Sequence, residues 1–104
     1  MKKFGNKLYT IKHLEHVCKK HIPTLPETIK KRIKKAIRER LTVDPIKLGK
    51  PLHYGFKGHR RLRVGTYRII YRVNIAEYKV ITVAIGHRDT IYEEALKIIN
   101  KYFQ

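Results

Sequence analysis

The spacing of the apolar residues changes once along this chain, and that change limits the fold more than any other feature. Within residues 26–41 the apolar positions recur every four residues, as on one face of an α-helix, at Ile29, Ile33, Ile37 and Leu41. From residue 62 onward the period is two, which is the period of a β-strand. Helices followed by a run of strands predict an α+β fold.

The remaining elements complete this prediction. We expect a short strand at residues 8–11, a helix within residues 12–21, strands at 61–64, 67–73 and 78–85, and a helix from Thr90 onward. The last strand is apolar on both faces, which indicates a central position in the sheet. The sequence therefore predicts one domain over residues 1–104, with N-terminal helices packed on one face of a small antiparallel sheet of three to four strands, and a C-terminal helix packing back.

Charge narrows the classes of partner. The chain has 25 Lys and Arg against 8 Asp and Glu, a formal charge of +17, yet 42% of its residues are hydrophobic. That apolar content excludes a disordered basic tail, and the charge calls for an acidic partner such as a nucleic acid, an acidic protein or an anionic membrane surface. The most apolar run, at residues 80–85, is too short to span a membrane.

Cysteine and histidine content argue against a metal site. Cys18 is the single cysteine, so no intramolecular disulfide can form, which fits a reducing cytoplasm. Three histidines flank Cys18, but their spacing matches no common ligand motif, and we predict no metal.

Basic residues concentrate between Asp44 and Glu77, where no acidic residue occurs. Alternation places Arg61 and Arg63 on one face of the first strand, and Arg68 and Arg72 on one face of the next. A turn at Gly65 would bring these four arginines together, which is costly without an anionic partner. The planar guanidinium suits phosphate, although a merely solvated basic face is the alternative.

The same residues carry a family resemblance. The segment Leu62-Arg63-Val64-Gly65-Thr66-Tyr67-Arg68-Ile69-Ile70-Tyr71-Arg72, followed by Gly86-His87-Arg88 and by Ile91-Tyr92, resembles the RelE/ParE toxin superfamily, and most of all its RelE-type toxins. The resemblance covers roughly residues 25–95. It departs from the family pattern at Thr66, where an aspartate is usual.

This resemblance implies a toxin of a type II toxin–antitoxin module that cleaves mRNA in the ribosomal A site. It implies no metal and no organic cofactor. It also implies an acidic antitoxin as partner, so that the toxin is a monomer alone and a hetero-oligomer when inhibited, in the cytoplasm.

Site residues follow from the resemblance position by position. Arg68 falls at the position linked to the scissile phosphate, Arg88 at the later arginine, and Tyr92 at the tyrosine linked to the cleaved nucleotide. Arg61 and His59 fall where catalytic lysines often occur. His87 joins the catalytic candidates because histidine titrates near neutrality. The predicted RNA contacts are His59, Lys57, Arg63, Arg72, Lys34 and Lys35.

Two other functions stay open. A ParE-like toxin would inhibit DNA gyrase on the same scaffold. A non-catalytic basic protein, or an inactive toxin copy, would bind RNA through counterion release alone.

Overall fold

The computed structural model describes residues 7–103, so the expected domain ends, residues 1–6 and 104, lie outside it. The elements, in chain order, are β1 (Thr10–His13), a π-helical segment (Val17–His21), α1 (Glu27–Ala36), a second π-helical segment (Ile37–Leu41), α2 (Pro45–Leu48), β2 (Lys50–Pro51), a 3₁₀ turn (Tyr54–Phe56), β3 (Arg60–Val64), β4 (Tyr67–Asn74), β5 (Lys79–His87) and α3 (Ile91–Tyr102). None of the helices among the described residues is long and apolar enough to cross a membrane.

The predicted helix at 26–41 is confirmed as α1 and the π-helical segment that continues it. One strand boundary and one helix face were predicted wrongly. The first strand is Thr10–His13, two residues later than expected, and the helix after it starts beyond His13. In α3 the spacing predicts a packed stripe of Ile91, Ala95, Ile98 and Tyr102, but the buried residues are Ile91, Ala95 and Ile99, and Tyr102 is 57% exposed.

The α+β class is confirmed, but the sheet differs from the predicted antiparallel sheet of three to four strands. It has five strands in the order β1-β5-β4-β3-β2, and β1 runs parallel to β5. The extra strand, β2, has two residues and pairs with β3, which is too short for a periodic pattern. Parallel strands can be joined only by a long crossover connection. Here the helical segments and strands β2, β3 and β4 lie between β1 and β5 in the chain and supply that connection.

The predicted central strand is confirmed as β5, which lies between β1 and β4. Its pairing with β4 contains a bulge, because Ile70 faces Ala84 while Tyr71 faces Thr82, and Val83 is left over. A bulge inverts the side-chain alternation beyond it. Val80 and Ile85, five residues apart, therefore face the same core.

Helices pack on both faces of the sheet, and not on one as predicted. The first core joins α1 and the π-helical segments to one face, through residues such as Ile33, Leu41 and Ile69. The second core joins Ile91 and Ala95 of α3 to Ile70 and Ala84. Because β4 is apolar at adjacent positions, it presents a buried surface to each side.

The histidines near Cys18 hold the edge of β5 and do not form a metal cluster. His13 Nδ1 lies 2.5 Å from Thr82 Oγ1, and His16 Nε2 donates to the Val83 carbonyl at 2.7 Å. The Ile85 N–H donates to His21 Nδ1 at 3.0 Å, and His21 Nε2 contacts a Glu94 carboxylate oxygen at 2.5 Å. His16 and His21 thus pair with the backbone of β5 beyond the end of β1, whereas His13 contacts the Thr82 hydroxyl. Within residues 7–103 no group of three metal-ligating side chains occurs.

Candidate active site on the arginine face

The β3–β4 hairpin gathers the predicted arginines on one side of the sheet. Arg63 pairs directly with Arg68, and Arg61 pairs with Ile70. Residues paired across antiparallel strands share a face, so Arg61, Arg63, Arg68 and Arg72 lie on the side of Ile70 and the second core. We call these four residues the arginine face.

Arg68 is the least accessible member of the arginine face, at 7% exposure. Its Nη1 donates to the carbonyl of Gly65 at 3.0 Å and to its own neighbour's carbonyl, that of Tyr67, at 2.8 Å. The guanidinium therefore braces the hairpin turn and is held in one orientation. A fixed cation of this kind costs no reorganisation when a negative charge arrives.

The segment after β5 is tied to the same turn. The Arg88 N–H donates to the Thr66 carbonyl at 2.8 Å, and the ring of His87 packs edge-on to Tyr67 with centroids 5.5 Å apart. Because this contact uses the backbone carbonyl of residue 66, it does not depend on the side chain, and threonine can stand where the family pattern has aspartate. His87 Nδ1 faces Asp89, whose N–H donates to it at 3.2 Å and whose carboxylate oxygen lies 3.5 Å away.

Tyr92 is partly buried at the margin of the second core, against which it packs. Its ring packs edge-on against Phe56, with centroids 6.0 Å apart. The 3₁₀ turn at Tyr54–Phe56 thus supports the tyrosine from the side. Tyr92 and the arginine face therefore belong to the same side of the sheet.

His59 lies in the interior, at 1% exposure, so its ring is not on an RNA-facing surface in this conformation. Its Nδ1 is 3.2 Å from the Lys57 carbonyl, which can only accept, so Nδ1 donates and Nε2 keeps its lone pair. Burial, assisted by the charge of Arg72, lowers the pKa of His59. Phe103 covers the ring edge-on at 5.2 Å and also lies under the Arg72 guanidinium, 5.0 Å away.

The other predicted RNA contacts lie in two places. Lys57 is exposed in the loop before β3, next to Gly58, which lies against the Arg72 guanidinium. Lys34 and Lys35 are exposed on α1, whose buried residues face the first core on the opposite side of the sheet. Phe56 and Phe103, which pack against Tyr92 and His59, were not among the residues predicted from the sequence. No local pattern marks them, since each meets its partner only through the tertiary fold.

Comparison with known proteins identifies the family. A family model described as the ParE toxin of the type II toxin–antitoxin system, parDE, matches residues 11–92. The chain belongs to this family of type II toxins. The predicted RelE/ParE superfamily is therefore confirmed over most of the chain. The matched residues include the arginine face as well as Arg88 and Tyr92.

Individual relatives are RelE-type proteins. Toxin RelG of Mycobacterium tuberculosis is 36% identical over 52 residues, which are 50% of this chain and 60% of that toxin, so the match spans less than two thirds of the relative. The RelBE2 toxin–antitoxin complex of M. tuberculosis has a TM-score of 0.73 at 27% identity, covering 79% of this chain and 93% of the other. A free E. coli RelE variant shares the fold, with a TM-score of 0.71 at 22% identity, covering 93% and 99%.

Proposed function

We propose that this toxin is a ribosome-dependent endoribonuclease that cleaves mRNA and stops translation in the cytoplasm. The observation that carries the proposal is the arginine face, with Arg88 and Tyr92 at its margins. Arg68, which is held by the hairpin turn, and the other arginines of this face lie on the same side of the sheet as Tyr92, and a reaction at a single phosphate needs both cations and a titratable group. The likeness to RelE-type toxins points the same way.

The chemistry is an internal transesterification. The 2′-oxygen of the nucleotide attacks the adjacent phosphorus, the bond to the 5′-oxygen breaks, and a 2′,3′-cyclic phosphate and a free 5′-hydroxyl result. Arg68 and Arg61 stabilise the extra negative charge on the phosphate oxygens. A base must accept the 2′-hydroxyl proton and an acid must protonate the 5′-oxygen, and His87 and Tyr92 are the titratable side chains at the margin.

An antitoxin is the proposed partner. A related toxin was solved as a toxin–antitoxin complex, and this chain carries a charge of +17 that an acidic protein would offset. An acidic antitoxin would also compete with RNA for the arginine face. We therefore propose a hetero-oligomer in the inhibited state and a free toxin in the active state.

The test uses purified translating ribosomes and one defined mRNA. Wild-type protein is expected to cut within the A-site codon, whereas Arg88→Ala and Tyr92→Phe are expected to slow cleavage by about 10²-fold or more, the range typical of lost electrostatic or proton-transfer groups. Arg38→Ala removes an exposed cation of the second π-helical segment, on the other side of the sheet, and is the matched control. Equal rates for all four proteins would contradict the proposal.

Gyrase inhibition is the second candidate, because the matching family model is described by the ParE toxin. The same four proteins are added to a DNA supercoiling assay. Inhibited supercoiling without mRNA cleavage would replace the nuclease proposal. RNA binding without either activity would indicate an inactive copy.

A further inference from the structure

A basic cavity lies between α1 and the β3–β4 hairpin, away from Tyr92 and α3. Its volume is about 330 Å³. The residues that line it are Arg32, Lys35, Ala36, Glu39, Arg40, Arg63, Val64 and Gly65. Three of these, Arg32, Lys35 and Arg40, place positive charges in the helical wall, Glu39 adds one negative charge, and Arg63 contributes its backbone carbonyl.

Two guanidinium groups are held against the hairpin backbone. Gly65 has a φ of +62°, and a Cβ at this position would lie 3.0 Å from Arg32 Nη1, so the arginine lies directly on the turn. Across the cavity, Arg40 Nη1 lies 3.5 Å from the Arg63 carbonyl. The walls of the cavity are therefore placed by contacts between the helical region and the hairpin.

The three cations of the helical region, Arg32, Lys35 and Arg40, lack acidic partners. Among residues 7–103 the ion pairs join other side chains, and Glu39, although it lines the cavity, is within 4.0 Å of none of these three charged groups. Three like charges around one cavity repel one another, and a bound anion offsets that repulsion. These unpaired cations are the observation that supports an anionic ligand in the cavity.

We propose that this cavity binds a phosphate group of a polynucleotide backbone, as a second site on the opposite side of the sheet from the second core. The choice of RNA as the polynucleotide rests on the proposed function. Arginine forks match phosphate oxygens in geometry as well as in charge. Arg63 lines the cavity with its backbone carbonyl, while its side chain belongs to the arginine face on the other side of the sheet, so a polynucleotide backbone can pass from one to the other around the hairpin turn.

An acidic protein fits the cavity less well. Protein interfaces are held by apolar and aromatic anchors at their centre. The apolar residues here, Ala36 and Val64, are buried in the fold, and the accessible lining consists of long cationic side chains and one carboxylate. The cavity therefore offers charge without an anchor, as phosphate sites do.

The test compares two double substitutions in the same helical region, residues 27–41. Arg32→Gln with Lys35→Gln removes two charges from the cavity, whereas Lys31→Gln with Arg38→Gln removes two exposed charges that do not line it. Both variants have the same net charge. Binding is measured by fluorescence anisotropy with a labelled single-stranded 2′-O-methyl RNA, which cannot be cleaved, across a series of KCl concentrations. Circular dichroism checks that both variants are folded.

We expect the cavity variant to bind at least about tenfold more weakly and to lose about 0.7 from the slope of log K against log salt, the value for one phosphate contact on a single strand. The control variant should lose clearly less than the cavity variant. Equal losses would overturn the proposal, since they would mean that only bulk charge matters. A larger loss of the cavity variant for polyglutamate than for RNA would overturn it in favour of an acidic protein.

Because the RNA cannot be cut, these outcomes are independent of nuclease activity. A protein that cleaves mRNA normally but shows equal losses would keep the proposed function and lose the second site. A protein that cleaves no mRNA but shows unequal losses would lose the proposed function and keep the second site.

Discussion

At the scale of single residues, the deepest side chains have tasks that their type alone does not reveal. Tyr71 is fully buried, and its hydroxyl donates to the Pro45 carbonyl at 2.6 Å, which ties β4 to the start of α2. A Cβ on Gly49 would lie 1.7 Å from that hydroxyl oxygen, so only glycine leaves room for this bond. Burial raises the pKa of Tyr71, which keeps the hydroxyl protonated as a donor.

We expect Tyr71→Phe to lower the free energy of unfolding by about 1–3 kcal/mol, the cost of leaving a buried carbonyl unpaired. Urea denaturation monitored by circular dichroism measures it. Tyr54, whose side chain is 97% exposed, gives the matched control Tyr54→Phe, which should change little. Similar losses for the two variants would contradict the assigned role of the buried bond.

Two histidines make stability depend on pH. Burial lowers the pKa of His13 and of His59 below the ordinary value of 6.5, with Arg72 adding to the effect at His59. In acid the unfolded chain then binds more protons than the folded one, so stability is complete above pH 6.5 and falls as the pH drops through the folded pKa values.

Unfolding free energies measured by urea titration from pH 7.5 to pH 5 should therefore decrease towards acid. His13→Gln should flatten part of that decrease, since a glutamine at this position cannot take up a proton. His53→Gln, at an exposed position, is the control. An unchanged slope in the His13 variant would refute the explanation.

At the scale of elements, the β3–β4 hairpin links the candidate active site to the basic cavity. Its two-residue turn consists of Gly65, whose φ is +62°, and Thr66. Among the described residues, the non-glycine positions with a positive φ are Tyr54 and Tyr78, so Thr66 does not have one. This is the pattern of a type II′ turn, whose twist suits adjacent strands. The Arg68 guanidinium donates to the Gly65 carbonyl of this turn, and the Arg88 N–H donates to its Thr66 carbonyl.

Gly65→Ala should lower the unfolding free energy by about 1 kcal/mol or more, because alanine disfavours a left-handed backbone. The Arg32 guanidinium must also move to admit the methyl group. Thr66→Asp restores the usual family residue at an exposed position and should stay within about 0.5 kcal/mol of the wild type. Thermal unfolding of both variants provides the comparison, and a neutral Gly65→Ala would rule out the assigned turn.

At the scale of the whole molecule, charge is the dominant property. The net charge of +17 is spread over both sides of the sheet, on the arginine face and on the exposed surface of α1. Such self-repulsion lowers the stability of the compact state, and a bound polyanion offsets it. Stability is therefore coupled to the presence of a partner.

Dextran sulfate should raise the melting temperature of this protein, by about 4–8 °C for each kcal/mol of binding free energy. Uncharged dextran of the same length is the control and should have little effect. Raising the NaCl concentration should weaken the effect of the polyanion, since salt screens the attraction. Equal shifts with the two polymers would show that crowding, and not charge, is responsible.

Prediction from the sequence succeeded where neighbouring residues decide the outcome. The spacing of Ile29, Ile33 and Ile37 defined the long helix, and alternation placed Arg63 and Arg68 on one face of a hairpin, as their pairing shows. It failed where a residue's surroundings come from elsewhere in the chain. The burial of His59 depends on Phe103, forty-four residues later, and nothing near His59 indicates this contact.

The sequence by itself determined the α+β class, the long basic helix, the arginine hairpin and the toxin family, because each of these depends on local periodicity or on a contiguous motif. Only the tertiary structure decided that β1 joins β5 in parallel, that helices cover both faces of the sheet, and that Arg32 and Arg63 line one cavity. These features depend on which distant surfaces meet. Which surfaces meet is set by how the chain as a whole buries its apolar residues. The extra residue of the bulge, Val83, is one example, because it inverts the alternation of β5 and places Ile85 in the first core with Val80.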